Sequence, residues 1–209
     1  VKNKVNLEFE ASVGGGIPIL RTIKEGLATN KIHKIYGILN GTCNYILTEM
    51  EKTGDTFKSV LKKAQDLGYA EPGNPKLDLN GYDTLAKVKI LSALVFNKKI
   101  SKSNCLMEGI ENIESKDFYM AEQLNLRIKL LGITEIVNNT LFERVHPCLV
   151  KKNTYIANVS GVMNAVILEG MPVGVSVLQG EGAGPGPTSS ALMSDFLSIL
   201  RGNIKFPFG

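Results

Sequence analysis

The sequence predicts an α+β fold, in which helices pack on one face of a mostly antiparallel open β-sheet. Segments with the apolar period of amphipathic helices lie mainly in the first half of the chain, and segments with the alternating pattern of strands lie mainly in the second half. This segregation is typical of α+β domains, because strands that alternate with helices would predict a parallel sheet. A chain of 209 residues is long enough to bury one substantial core.

The first half predicts two strands, each followed by helix. The segment VNLEFEASV alternates apolar and polar residues and predicts a half-buried strand that ends at the glycines of residues 14–16. Pro18 suits the first turn of a helix whose apolar residues continue to Leu27. The segment IHKIYGIL predicts the second strand. A turn and an N-cap at Thr42 then begin a helix, and helical spacing recurs over 57–67 and 81–96.

The second half predicts mainly strands. Candidates lie at 127–134, 140–150 and 155–159, and the segments VMNAVILEG and GVSVLQG predict a strand pair joined near residues 171–172. The loop GEGAGPGP then leads into a final helix that begins at Thr188 and ends at the Arg-Gly pair of residues 201–202.

The composition favours a soluble globular protein of the reducing cytoplasm. With 44% hydrophobic and 21% charged residues, the chain has no run of the roughly 18 apolar residues that a membrane span needs. The net charge of +4 is spread in short clusters without interleaved aromatic residues, which argues against nucleic acid as a partner. The three cysteines, Cys43, Cys105 and Cys148, lack CxxC spacing, so neither a zinc site nor a disulfide framework is indicated.

One charged pair lies in an otherwise apolar helix pattern. Asp83 and Lys87 fall about 40° apart on a helical wheel, and only Lys89 and Ser92 mark a polar strip on the far side. A helix that is apolar over most of its circumference is normally buried, so we expect the pair to be removed from bulk water. A buried ion pair contributes little to the stability of a fold, so a function explains its presence better than stability does. The pair therefore predicts a proton donor or acceptor. The alternative is a lysine whose ammonium reaches solvent beside a surface aspartate.

The loops offer weaker candidates. Glu71 and Asp78 precede the charged helix and could bind an amino group, although Asp78 could equally be an acid favoured by a helix N-terminus. The glycines of residues 14–16 do not match the dinucleotide fingerprint, because Ile19 stands where the last glycine is needed. Such a turn could wrap a small cation or simply make a tight corner. The loop GEGAGPGPT could bring amide groups to a phosphate.

Four strings, in order, resemble the substrate-binding and catalytic region of the homoserine dehydrogenase family: FEASVGGGIPI, GILNGTCNYIL, GYAEPGNPKLDLNGYDTLAKVKI and GEGAGPGPTSSALMSD. The resemblance extends from about Leu7 to Phe208. It implies an oxidoreductase that interconverts L-aspartate 4-semialdehyde and L-homoserine with NADP or NAD, on the route to threonine, methionine and isoleucine. It also implies a cytoplasmic homodimer that pairs through its open sheet.

The resemblance also implies roles for single residues. Lys87 matches the catalytic lysine that passes a proton to the aldehyde oxygen. Asp83 and Glu71 match residues that hold the amino-acid end of the substrate and orient the lysine, and Asp78 matches a further acid of the substrate site. Gly68 and Gly184 match positions that line the nicotinamide cofactor. A monovalent cation, normally Na⁺, is implied at backbone carbonyls of the N-terminal corner: Glu10, Val13, Gly15 and Ile17.

Two departures from the family pattern stand out. The family runs Glu, any residue, Asp, Pro before the second acid, whereas Glu71 here is followed by one extra residue, with Asn74 in place of Asp. The family also has an N-terminal nucleotide-binding domain, and longer members continue into a regulatory domain. The resemblance therefore implies that 1–209 is the substrate-binding, catalytic and dimerisation domain, that 180–209 contacts the nucleotide-binding domain, and that this chain alone is inactive.

Two other functions remain open at this stage. A non-catalytic amino-acid-binding or dimerisation module could keep the same fold without turnover. A related amino-acid semialdehyde dehydrogenase would differ only in its substrate.

Overall fold

The computed structural model describes residues 5–73, 75–97 and 105–202, and one six-stranded sheet organises them. The strand order is β2-β4-β3-β1-β5-β6, and every neighbouring pair is antiparallel except the short parallel contact of β2 with β4. This confirms the predicted α+β class. The strands are β1 (Lys31–Ile38), β2 (Leu106–Met107), β3 (Leu126–Val137), β4 (Thr140–Lys151), β5 (Met163–Met171) and β6 (Gly174–Glu181).

The helices cover one face of this sheet. Neighbouring residues of β3 point to opposite faces, so Leu130 joins the large core beneath the helices, whereas Leu131 joins a smaller cluster on the other face. The smaller cluster is covered by a short 3₁₀ helix, Ile156–Asn158. The α-helices are α1 (Ile19–Arg21, continued by a π-helical turn at Thr22–Gly26), α2 (Gly41–Thr53), α3 (Phe57–Asp66), α4 (Lys76–Leu79), α5 (Tyr82–Phe96), α6 (Ser115–Gln123) and α7 (Pro185–Leu200).

The helix α5, which carries the predicted ion pair, approaches the centre of the sheet closely. At Gly132 of β3, a Cβ would come within 2.5 Å of the Val88 side chain and 2.9 Å of the Thr84 side chain. Glycine therefore lets α5 lie directly on the sheet. Ser92, which belongs to the polar strip on the far side from the ion pair, is 1% exposed and accepts a hydrogen bond from Thr134 at 3.1 Å.

The predicted strand at the N-terminus is wrong. Residues 5–9 form no strand in the structure, and Val5 and Leu7 are 65% and 58% exposed. The polar residues of the segment face inward instead, because Glu8 forms an ion pair with Lys24 at 3.5 Å and accepts a hydrogen bond from Ser198. Because the segment is not a strand, its alternating pattern does not decide which side chains are buried, and the carboxylates of Glu8 and Glu10 are among the buried groups.

The predicted strand at 155–159 is also wrong, because the segment forms a 3₁₀ helix held by side chains. Lys129 is 2% exposed and donates to the Val159 carbonyl at 2.6 Å and to Asn44 Oδ1 at 3.2 Å. Asn44 in turn donates to the carbonyls of Val159, Gly161 and Met163. Burial lowers the pKa of Lys129 to about 8. Backbone carbonyls that would have bonded to a neighbouring strand are therefore hydrogen-bonded to side chains of α2 and β3.

Two helix starts differ from the prediction. Asn40, rather than Thr42, caps α2, since its side-chain oxygen accepts the amide of Cys43 at 2.8 Å. The helix α7 begins at Pro185, three residues before Thr188, because proline suits the first helical position. The helix α6 was not predicted, nor were the short elements α4 and β2. The remaining predicted helices and strands are confirmed within two or three residues of their ends.

Candidate active site

A cavity of about 600 Å³ lies where β1 ends, between the N-terminus of α2, the helix α5 and the loop 181–184. Charged and polar side chains line it together with glycine-rich backbone. Five of the residues singled out from the sequence line this cavity: Gly68, Asp78, Asp83, Lys87 and Gly184.

Lys87 and Asp83 form the predicted ion pair at the wall of the cavity. Lys87 Nζ lies 2.7 Å from Asp83 Oδ2 and donates a second hydrogen bond to the Leu39 carbonyl at 2.9 Å. The helix pattern predicted a pair removed from bulk water. The two side chains are instead 19% and 31% exposed, so the pair is half-buried. Since an ammonium has three hydrogens, two of these contacts leave one for a ligand.

Asn40 links Asp78 and Asp83, two of the acids that line the cavity, and the sequence did not single it out. Its Nδ2 donates to Asp78 Oδ1 and to Asp83 Oδ2, each at 2.9 Å. Burial raises the pKa of the Asp78 carboxyl, the hydrogen bond from Asn40 lowers it, and the nearby charge of Asp83 raises it. In the sequence, the Asn-Gly pair between strand and helix indicated a turn. An N-cap at this position was the one signal that could have pointed to Asn40.

Glu71 lies outside this cavity. Its side chain is exposed and lines an adjoining depression, which it shares with Asp78 and Asp83. The loop that carries it is anchored by its carbonyl, which accepts a hydrogen bond from Gln65 at 3.1 Å. Asn74, the second departure from the family pattern, lies outside the described residues.

Two of the cavity glycines have conformations that suit a close approach of ligand to backbone. Gly68 and Gly184 have φ of +77° and +113°, a region that side chains rarely adopt. A Cβ at Gly68 would meet no described atom within 4 Å, so this side of the cavity is open. Asn164 also lines the cavity, and its buried Oδ1 has no hydrogen-bond partner in the described part of the chain. These features fit a planar, polar ligand group such as a nicotinamide.

The N-terminal corner lies beside the same loop. At Gly15, whose φ is +54°, a Cβ would come within 2.5 Å of the Gly182 carbonyl. The Gly14 carbonyl accepts the amide of Ile17 at 2.9 Å, which closes the turn, and the Glu10 carbonyl accepts the amide of Val13. The ligands that this turn can offer a cation are therefore backbone carbonyls, a donor type that suits hard cations.

The Glu10 side chain has a different role, because it caps the following helix. Its two carboxylate oxygens accept the amides of Leu20 and Arg21, both at 2.8 Å, and its own amide donates to Asp195 Oδ2 at 2.8 Å. Burial raises the pKa of the Glu10 carboxyl. Asp195 belongs to α7, so the corner and α7 are joined through buried carboxylates.

Within the described ranges, no three His, Cys, Asp or Glu side chains converge as metal ligands would, and no helix there is both long and apolar enough to cross a membrane.

Comparison with known proteins identifies relatives along nearly the whole chain. The family model for homoserine dehydrogenase matches residues 18–197. The homoserine dehydrogenase of Neisseria gonorrhoeae is 47% identical over 200 residues, which are 96% of this chain and 46% of that protein. That of Helicobacter pylori is 46% identical over 193 residues, or 92% of this chain and 46% of that protein.

Solved structures agree with the sequence relatives. The crystal structure of a homoserine dehydrogenase from Thiobacillus denitrificans has a TM-score of 0.90 at 46% identity, covering 92% of this chain and 44% of that one. A putative homoserine dehydrogenase from Archaeoglobus fulgidus has a TM-score of 0.87 at 35% identity, covering 95% of this chain and 60% of that one. The chain therefore spans less than half the length of the curated relatives described above.

Proposed function

The chain belongs to the homoserine dehydrogenase family, and from that membership we propose that it forms the substrate-binding and catalytic region of an NAD(P)-dependent enzyme that interconverts L-aspartate 4-semialdehyde and L-homoserine. This reaction would serve the synthesis of threonine, methionine and isoleucine in the cytoplasm. One observation carries the proposal: an ammonium, Lys87, is held at the wall of a cavity by Asp83 and a backbone carbonyl.

Lys87 is the proton donor in this proposal. Its contacts with Asp83 and the Leu39 carbonyl fix two of its hydrogens, and the third can reach an oxygen in the cavity. A group held in this way is oriented before the substrate arrives, which lowers the entropic part of the barrier. The reverse reaction would return the proton from the homoserine hydroxyl to Lys87.

The acids bind the amino-acid end of the substrate. Asp83 and Asp78 face the cavity from α5 and α4. Glu71 lies in the adjoining depression, which the same two acids also line. Carboxylates accept the hydrogens of an ammonium group with charge-assisted hydrogen bonds. Asp83, which already accepts hydrogen bonds from Lys87 and Asn40, would thus also accept one from the substrate.

NADPH or NADH, when bound, supplies the hydride. Gly68 and Gly184 would hold the nicotinamide end, because both line the cavity and lack side chains that would obstruct it. The rest of the cofactor would be bound by a nucleotide-binding domain, so this chain alone would be inactive. A monovalent cation, Na⁺, would be held by the carbonyls of the N-terminal corner: Glu10, Val13, Gly15 and Ile17.

The surface of α7 supports the proposed domain contact. Asp195 and Ser198 face inward, whereas the outward side is apolar, which is the reverse of an ordinary surface helix. We therefore assign 180–209 to the contact with the nucleotide-binding domain, with residues 203–209 lying outside the described part. The apolar residues of α7 that are 44–65% exposed are Leu192, Met193, Phe196, Leu197, Ile199 and Leu200.

A homodimer through the open face of the sheet is part of the same proposal. That face is covered only in part by the 3₁₀ helix Ile156–Asn158, and the edge strand β6 leaves Val175 61% and Val177 37% exposed. Apolar strand residues at a sheet edge favour association.

The test is semialdehyde-dependent oxidation of NADPH by the protein that carries this chain together with its nucleotide-binding domain. Turnover that Lys87→Ala removes would support the proposal. No turnover with aspartate semialdehyde, combined with homoserine binding that Asp83→Ala weakens, would favour a non-catalytic binding module. Faster turnover with another amino-acid semialdehyde would favour a related dehydrogenase.

A further inference from the structure

Asn40 supports an inference that rests on the function proposed above. We propose that Asn40 is a positioning residue, which holds the carboxylates of Asp78 and Asp83 in the orientation that serves Lys87 and the substrate ammonium. Asn40 does not itself need to touch the substrate. It acts through the two acids.

The orientation of the Asn40 amide is fixed by its contacts. A backbone N–H can only donate, so the atom that faces the Cys43 amide at 2.8 Å must be the side-chain oxygen. The NH₂ group then points the other way, and its hydrogens are directed to Asp78 Oδ1 and Asp83 Oδ2. Asn40 is only 6% exposed, so water competes little for these hydrogen bonds.

The two acids need such a link because they lie on different helices and repel each other. Asp78 belongs to α4 and Asp83 to α5, and Gly81, with φ of +90°, joins the two. A single NH₂ group that donates to both carboxylates offsets part of their repulsion and fixes their separation. Within the described part of the chain, the second oxygen of each carboxylate accepts no hydrogen bond, so both oxygens are available to an ammonium.

The backbone at the end of β1 also forms a hydrogen bond with Lys87. Lys87 Nζ donates to the carbonyl of Leu39, the residue before Asn40, at 2.9 Å. Asp83 Oδ2 accepts from both Lys87 and Asn40. Two consecutive residues at the end of the central strand β1 therefore position Lys87, Asp78 and Asp83.

An ordinary capping role makes a different prediction. Asp and Ser cap helices about as well as Asn does, so a residue that served α2 alone would tolerate either substitution. Asn40→Ser keeps a capping oxygen but removes the two donated hydrogens. Asn40→Asp keeps the size and the cap, but it places a third carboxylate against the other two.

The experiment compares these variants in the protein that carries this chain and its nucleotide-binding domain. We expect Asn40→Ser to lower kcat/KM for the semialdehyde about 10- to 100-fold and to raise KM, with thermal unfolding close to wild type, and Asn40→Asp to lower kcat/KM further. Thr56, which caps α3 away from the cavity, gives the matched control. Thr56→Ala should lower stability and leave kcat/KM unchanged.

A second readout does not depend on turnover. In ¹³C-carboxyl NMR of aspartate-labelled protein, Asp78 should titrate at a higher pH in Asn40→Ser than in wild type, because one donor to its carboxylate is lost. The other ionisable groups that face Asp78, namely Asp83, Lys87, Glu71 and Cys43, are the same in both proteins.

The two readouts separate the outcomes. Wild-type kcat/KM in Asn40→Ser, or an unchanged Asp78 titration, would overturn the positioning role. If the wild-type protein does not reduce the semialdehyde, the proposed function fails, and the Asp78 titration still decides whether Asn40 holds the acids.

Discussion

Two lysines of this chain, Lys87 and Lys129, differ mainly in the charge of their partners. Lys87 contacts the carboxylate of Asp83 at the wall of an open cavity. Lys129 is buried in the interior, and its hydrogen bonds go to neutral oxygens of Val159 and Asn44. Burial beside neutral partners lowers the pKa of Lys129 to about 8. The comparison shows that Lys87 pairs with a carboxylate at an open cavity, whereas Lys129 donates to neutral oxygens in the interior, which suits a structural role.

The largest expected effect separates the two lysines by activity. Lys87→Met should lower kcat about 10²- to 10⁴-fold, because the proposed proton donor is lost. Lys87→Arg keeps the charge but should be almost as slow, since a guanidinium does not release its proton at ordinary pH. Steady-state assays of both variants measure this. Lys129→Met is the matched control, and a comparable loss of kcat in that variant would contradict the division of roles.

The second prediction separates the lysines by the pH dependence of stability. The pKa of Lys129 is lowered from 10.5 to about 8, so the unfolded chain binds more protons between these values and the folded state gains stability as pH rises. Relative to Lys129→Met, the wild type should gain about 3 kcal/mol between pH 8 and 10.5, since one pKa unit corresponds to about 1.4 kcal/mol. Urea unfolding at several pH values measures this difference. A constant difference would show that folding does not lower the pKa of Lys129.

The third prediction concerns Asn44, whose side-chain amide donates to the same carbonyl, that of Val159, as Lys129 does. Asn44→Ala removes the donor to three carbonyls of the segment 159–163 and the acceptor of Lys129. We expect a loss of about 2 kcal/mol, because buried polar groups without partners cost about 1–3 kcal/mol each and water will satisfy some of them. Chemical denaturation of Asn44→Ala measures this, and Thr53→Ala, at the exposed end of the same helix, should cost much less.

The smallest expected effect returns to the cavity. Burial raises the pKa of Asp78 above the ordinary value of 3.8, so the folded protein binds this proton more tightly than the unfolded chain does. The favourable contribution of Asp78 is fully present below pH 3.8 and is lost as pH rises through the raised pKa. Asp78→Asn should therefore raise the melting temperature at pH 7 but not at pH 3.5. Stabilisation at both pH values would mean that the effect is not electrostatic.

Local patterns in the sequence were enough to predict the fold class and most elements. The long hairpin of β3 and β4 consists of two adjacent segments rich in β-branched and apolar residues, joined by an Asn-Asn turn, residues 138–139, in which both residues have positive φ. The helix α3 follows its apolar period, and α5 was recognisable as a long, mostly apolar segment. These elements are determined by residues close together in the chain.

The errors arose where contacts distant in sequence decide the structure. The segment 155–159 has a strand pattern, but Lys129 and Asn44 satisfy its backbone from other elements. The role of Asn40 depends on Asp78 and Asp83, which are 38 and 43 residues away. Spacing along α5 predicted that Asp83 and Lys87 would meet, but no local pattern could indicate the amide that joins two acids.

The outward face of α7 also has a practical consequence for handling the protein. Apolar side chains that are half exposed to water promote self-association, and their effect strengthens with temperature and with salts such as sulfate. Leu192, Phe196 and Leu200 lie at four-residue spacing along one side of this helix. The concentration at which the 209-residue chain stays in solution will therefore depend on this helix more than on its net charge of +4.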